Sequence, residues 1–109
     1  MKMYRQGDVL FIQTNKKVSK DMNREEAKGG RQVIEFGEVT GHAHAFYNLE
    51  KEAVEVVNTP DGGRILNVLN KGGADLKHEE HSTIHFEQGT YEIRRQREYD
   101  PIQERLIAD

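Results

Sequence analysis

The sequence predicts an all-β fold, a small cupin-like barrel or sandwich that forms one domain over residues 1–109. Two observations predict it. Short apolar segments recur about every ten residues, and glycine-rich turns separate them. A chain of 109 residues has room for about six to eight such strands. Cysteine is absent, which excludes disulfides, thiolate metal sites and cysteine nucleophiles.

The strands are assigned from the apolar segments and the turns between them. Residues 9–12 are continuously apolar, which predicts a strand buried on both faces. Residues 15–31 are polar and predict a long loop with a helical turn at 21–28. Further strands are predicted over residues 33–39, 42–49, 53–57, 65–69, 76–81, 83–86 and 90–99. Asp100-Pro101 ends the last strand, because proline lacks the amide donor.

Charge and hydropathy narrow the function classes. The net charge is -3, so no global field draws the chain towards nucleic acid. The N-terminus lacks the apolar run of a signal peptide, and no segment is long enough to span a membrane. We therefore expect a cytoplasmic protein.

The chemically informative residues are the five histidines, which fall into two short clusters. Alternate side chains of a β-strand share a face, so His42, His44 and Phe46 point the same way. Two imidazoles at this spacing bind one divalent metal ion when a third ligand arrives from another strand. The second cluster offers that ligand; it consists of His78, His81 and His85.

Strand parity leaves the third ligand open. If Leu76 faces the core, then His78 and Glu80 lie inside with it and His81 lies at the rim. A bulge or a strand end near Glu79 reverses this choice. His78 and His81 therefore both stay candidates for the third position.

Three histidines and one glutamate suit Zn(II), Fe(II), Mn(II) or Ni(II). If the protein is an enzyme, the ion polarises a substrate or activates water, with Glu79 or Glu80 as the acid-base group. His85 alternates away from Ile84 and Phe86 and is predicted to face solvent. The alternative is that the histidines are structural.

The last predicted strand carries arginine and tyrosine on one face. Arg95, Arg97 and Tyr99 are candidate anchors for a small anionic substrate, since guanidinium binds carboxylate or phosphate in a bidentate manner. In the alternative interpretation the arginines pair with Glu35 or Glu87 and join the strands. A second function follows from the same strand: an accessory module that binds nucleic acid or a protein partner. Edge strands also leave room for a homodimer.

One segment resembles a known motif. Residues 37–44, Gly-Glu-Val-Thr-Gly-His-Ala-His, followed by Glu50, are similar to the first motif of the cupins, in which a glycine precedes H-x-H and a glutamate follows. The resemblance implies a small double-stranded β-helix with a central metal ion. It implies Glu50 as a ligand, with Glu38, Glu79 or Glu80 as substitutes, and His78 or His81 as the histidine of the second motif.

A second resemblance is broader. Residues 4–10, 37–44 and 89–101 are similar to segments of small uncharacterised bacterial and phage proteins. This likeness implies a family but no activity.

Overall fold

The computed structural model describes residues 2–27, 31–36, 42–47 and 53–95. Every regular element in these ranges is a β-strand, so the predicted all-β class is confirmed. No helix among the described residues is long and apolar enough to cross a membrane. The strands are β1 (Met3–Gln6), β2 (Val9–Gln13), β3 (Asn23–Arg24), β4 (Arg31–Phe36), β5 (Ala43–Tyr47), β6 (Val54–Asn58), β7 (Arg64–Val68), β8 (Ala74–Lys77), β9 (Ile84–Phe86) and β10 (Gly89–Arg95).

The strands form two antiparallel sheets. The larger sheet has the order β1-β2-β10-β7-β6-β3, and the smaller has the order β4-β5-β8-β9. Over the described ranges the strand pairings do not close the sheets into one ring, so the architecture is a sandwich, the second of the two predicted architectures, and not the closed barrel predicted first. Their inner faces bury a common core.

The N-terminal hairpin contains a strand that the sequence pattern does not reveal. β1 pairs with β2 in antiparallel register, and Gln6 lies opposite Val9. The two residues between them, Gly7 and Asp8, form the turn, and Gly7 has φ = 60°, the left-handed conformation that such turns favour. β2 begins with three buried residues, Val9 to Phe11, which confirms the predicted buried strand.

The helical turn predicted at 21–28 is wrong for the described part of that segment. Asn23 and Arg24 form β3 and pair with Asn58 and Val57 of β6. The amide of Glu25 then donates a hydrogen bond to the Val56 carbonyl oxygen at 2.8 Å. The free edge of β6 therefore supplies the backbone partners that a helix would find within its own turn.

An aromatic group fills the centre of the sandwich. The Phe86 ring lies 4.6 Å from Tyr4, 4.8 Å from Phe11, 5.2 Å from Tyr91 and 5.8 Å from Phe46, measured between centroids. The four contacts are tilted or edge-to-face, the geometry that aromatic quadrupoles favour. Phe86 thus joins side chains from both sheets and fixes the position of β9 and of the segment before it.

Candidate metal centre

Four of the five histidines converge. Their centroid distances are 4.3 Å for His44 and His78, 4.7 Å for His78 and His81, 5.7 Å for His42 and His78, and 5.9 Å for His44 and His81. Imidazole nitrogens bind transition-metal ions at about 2.1 Å, so the centroids of two rings on one tetrahedral ion lie about 5.3 Å apart. All four spacings lie within about 1 Å of that value. We call these residues the histidine cluster.

Two local features bring the rings together. On β5, His44 is 2% exposed and shares a face with Phe46 of the core, as parity predicts. β8 ends at Lys77, one residue before His78, so the predicted strand over 76–81 is too long. The chain bends through the next residues instead of alternating. Both His78 and His81 therefore reach the cluster.

His85 lies outside the cluster. Its side chain is 57% exposed, which confirms the predicted orientation towards solvent. Its Nδ1 lies 2.6 Å from Oδ1 of Asp75, its neighbour across β8 and β9. This exposed pair provides matched control positions for experiments on the cluster.

Three potential ligands are already close to one another. The ligand atoms of His42, His78 and Glu79 all lie within 4.8 Å of each other. Two ligands of a tetrahedral zinc ion lie about 3.4 Å apart, so binding requires a contraction of up to about 1.4 Å. The Nδ1 atom of His42 is buried and has no hydrogen-bond partner among the described residues. A Glu80 carboxylate oxygen lies 3.7 Å from it, beyond hydrogen-bond distance.

Glu79 is held as an anion. Its Oε2 accepts a hydrogen bond from the Ala43 amide at 3.0 Å, which ties the segment after β8 to the start of β5. This bond, and the nearby imidazoles of His42 and His78, lower the pKa of the Glu79 carboxyl below its ordinary value. A carboxylate that is ionised at neutral pH suits a metal ligand better than a proton donor.

His78 and Glu80 interact through the backbone. The Glu80 amide donates a hydrogen bond to Nδ1 of His78 at 3.0 Å, and the Glu80 side chain is 60% exposed. This bond uses the Nδ1 lone pair. An ion bound through Nε2 of His78 therefore requires the ring proton to move to Nδ1 and the Glu80 amide to turn away.

Gln6, which sequence patterns do not single out, fixes the state of His44. Gln6 is 2% exposed, and its Nε2 donates to the carbonyl oxygens of Leu76 at 3.0 Å and Ser82 at 2.9 Å. These two bonds orient the amide, so its Oε1 faces Nδ1 of His44 at 2.9 Å. Nδ1 must therefore carry the proton, and Nε2 presents a lone pair, the tautomer that binds metal through Nε2.

Gly7 permits a close approach between the N-terminal turn and the cluster. A Cβ atom at this position would lie 2.9 Å from Nε2 of His81 and 3.1 Å from Cε1 of His44. The absence of a side chain and the positive φ thus serve the site as well as the turn. In the sequence, the only sign of this close approach is the Gly7-Asp8 pair, which predicts a turn but does not indicate a functional site.

Burial gives His44 a pH-dependent effect on stability. Burial, with the nearby His78, lowers the pKa of His44 to about 4, although Asp8 and Glu79 oppose the shift. The unfolded chain takes up this proton near pH 6.5, so we expect the free energy of unfolding to fall as the pH drops from about 6.5 to about 4, by up to about 3 kcal/mol. Urea unfolding of the wild type and His44→Asn at pH 7 and pH 4.5 measures this. An equal loss in both proteins would contradict it.

Arg95 is paired with carboxylates. Its Nε lies 3.3 Å from Oδ2 of Asp8, and its Nη1 lies 3.5 Å from Oε1 of Glu35. The predicted pairing of Arg95 with Glu35 is therefore present. Asp8 and Glu35 together offset the positive charge of Arg95, the charge that was expected to anchor an anionic substrate. Arg97 and Tyr99 lie outside the described residues. The same is true of Glu38 and Glu50, the acids that the cupin resemblance concerns.

Comparisons with known proteins place the chain in a family. Residues 5–96 match the family described as a domain of unknown function, DUF8820, and the chain belongs to it. No curated protein and no solved structure matches the chain. The match agrees with the predicted uncharacterised family, and nothing in it links the chain to the cupins. The matched range includes Gln6, the N-terminal turn and the whole histidine cluster.

Proposed function

We propose that this member of the DUF8820 family binds a divalent transition-metal ion through His42, His78 and Glu79. The observation that carries the proposal is the proximity of these three ligands, which come from two separate segments and lie within 4.8 Å of one another. The buried Nδ1 of His42, which has no hydrogen-bond partner within the described ranges, supports it, because an unsatisfied buried nitrogen costs about 1–3 kcal/mol. Coordination of an ion removes that cost.

The ligand set suits the same ions that the sequence predicts. Two imidazoles and one carboxylate are the protein ligands of many catalytic zinc sites and of many non-haem Fe(II) sites. Zn(II), Fe(II), Mn(II) and Ni(II) are therefore the candidates. Three protein ligands leave a position for water or a small anion, and a bound ion supplies the Lewis acidity to polarise it. Within the site, Glu79 contributes charge and His42 and His78 contribute neutral donors.

Metal titration of protein purified without a histidine tag tests the proposal. We expect Zn(II) and Co(II) to bind with at least one equivalent per chain, measured by isothermal calorimetry and elemental analysis. His42→Ala and His78→Ala should each weaken binding of the first equivalent at least 100-fold, because each removes one of three ligands. Circular dichroism establishes that the variants are folded.

His85→Ala is the matched control, since it removes an exposed imidazole outside the cluster. It should leave the affinity unchanged. Wild-type protein that binds no ion, or a folded His42→Ala variant with wild-type affinity, would refute the proposal.

A further inference from the structure

A cleft opens along one side of the sandwich, away from the histidine cluster. Over the described ranges β3 ends the larger sheet and β4 ends the smaller one. The cleft is lined by residues 31–35 of β4 on one wall and by Glu25, Glu26 and Arg64 on the other. Its volume is about 460 Å³, within the range of about 300–1,000 Å³ that is typical of ligand sites.

The wall formed by β4 is a backbone edge. Successive side chains of a strand point to opposite faces, so five consecutive residues line one cleft only through the edge that their backbones share. Among the described residues β4 pairs with β5 alone, and no backbone hydrogen bond leaves its other edge. The N–H and C=O groups of such an edge are able to bind an extended chain as an added strand.

Gln32 is a buried amide that faces this cleft. It is 3% exposed, lines the cleft and lies opposite Phe46 of the core in the pairing of β4 with β5. Its side chain makes no hydrogen bond to a described residue, whereas the similarly buried Gln6 bonds to three. A buried amide needs both an acceptor and a donor, and a peptide group supplies both.

The charges beside the cleft leave a negative excess. Asp8, Arg95, Glu35, Arg64 and Glu25 form a row of ion pairs, with successive N–O distances of 3.3, 3.5, 3.9 and 2.7 Å. The row begins and ends with a carboxylate, so one negative charge is not offset. Two further charges line the cleft, those of the exposed Glu26 and the half-buried Arg31, and they have opposite signs. The cleft therefore favours a cationic ligand group.

The shape of the edge disfavours a second copy of this chain as the occupant. The pairing of β4 with β5 shifts between Val33 and Glu35, and this bulge places Glu35 opposite the inward-facing His44. Bulges and inward-pointing charges are features with which edge strands avoid pairing with identical edges. The regular part of the edge, residues 31–33, suits a short segment of another chain.

We propose that this cleft binds an extended peptide segment that carries a lysine or arginine side chain. The main chain of the peptide pairs with the edge of β4, one of its peptide groups bonds to the Gln32 amide, and its basic side chain faces Glu26. This interaction is separate from the proposed function, because none of His42, His78 and Glu79 lines the cleft.

Selection from a library of short random peptides displayed on phage tests the proposal. Tag-free protein is used in the presence of EDTA, so that the outcome does not depend on a bound metal ion. We expect the enriched peptides to contain lysine or arginine. Synthetic copies, measured by fluorescence anisotropy, should bind Glu26→Lys at least about tenfold more weakly than the wild type, because the reversed charge repels the basic side chain.

The controls separate the cleft from general changes in charge and stability. Asp21→Lys reverses an exposed acid outside the cleft and should leave the affinity unchanged. Gln32→Leu, shown to be folded by circular dichroism, should also weaken binding. In the wild type, the backbone amide resonances of residues 31–35 should shift on addition of peptide.

Three results would overturn the proposal. They are a selection that enriches no peptide, enriched peptides that bind Glu26→Lys as tightly as the wild type, and peptides that shift no resonance of residues 31–35. A dimer in sedimentation that Glu26→Lys dissociates and the peptides do not would assign the edge to a second copy, and this also contradicts the proposal.

Discussion

Replacing Gln6 with leucine is expected to weaken metal binding 10- to 100-fold and to lower the free energy of unfolding by about 2–4 kcal/mol. The change removes the acceptor of His44 Nδ1–H and the donors to the carbonyl oxygens of Leu76 and Ser82, the two residues that flank the segment carrying His78 and Glu79. Leucine fills a similar volume, so the effect isolates the hydrogen bonds. Zn(II) calorimetry and urea unfolding measure the two quantities.

Gln88→Leu is the matched control for this experiment. Gln88 also donates its Nε2 to a carbonyl oxygen, that of Leu69 at 3.0 Å, but it is exposed and this bond involves no residue next to the histidine cluster. We expect little change in either quantity. A folded Gln6→Leu variant with wild-type affinity would show that these hydrogen bonds do not position His78 and Glu79 for metal binding.

Replacing Phe86 with alanine is expected to lower the free energy of unfolding by about 3–5 kcal/mol. Phe86 is 0% exposed and contacts four aromatic rings from both sheets, so truncation leaves a cavity that the rigid sheets cannot fill. Since small domains are stable by only about 5–15 kcal/mol, the loss is a large share of the total. Urea unfolding followed by circular dichroism measures it.

Two further variants separate cavity formation from a general loss of aromatic surface. Phe86→Leu keeps most of the volume and should cost clearly less than Phe86→Ala. Tyr47→Ala removes a ring that is 36% exposed and should have only a small effect. Equal losses for all three variants would contradict the central role of Phe86.

Local periodicity predicted those parts of the fold and site that depend on neighbours in one strand. The continuous apolar run of β2 and the shared face of His44 and Phe46 follow from side-chain alternation alone. The sandwich and the barrel were not distinguished, because antiparallel strands with short turns build both. The decision depends on which strands pair across the sheets, and no local pattern encodes that.

The segment after β8 shows where periodicity stops. Side-chain alternation favours His78 over His81 as the third ligand only if the strand continues through both residues. The strand β8 ends at Lys77, so the alternation does not reach them. Gln6 and Asp8 were missed for a different reason. Their partner His44 is more than 30 residues away in the chain, and a polar residue beside a turn has no feature that points to a distant imidazole.

The site joins segments that are far apart in sequence, and this affects how the protein folds. Gln6 and His44 are 38 residues apart, Ala43 and Glu79 are 36 apart, and Gln6 and Ser82 are 76 apart. Long loops must close before these contacts form, which slows folding and delays the site until the two sheets have met. An ion at the site therefore stabilises only the finished sandwich, by about 2.7 kcal/mol when its free concentration is 100 times Kd. Metal binding then becomes a late step that joins the start of β5 to the segment after β8.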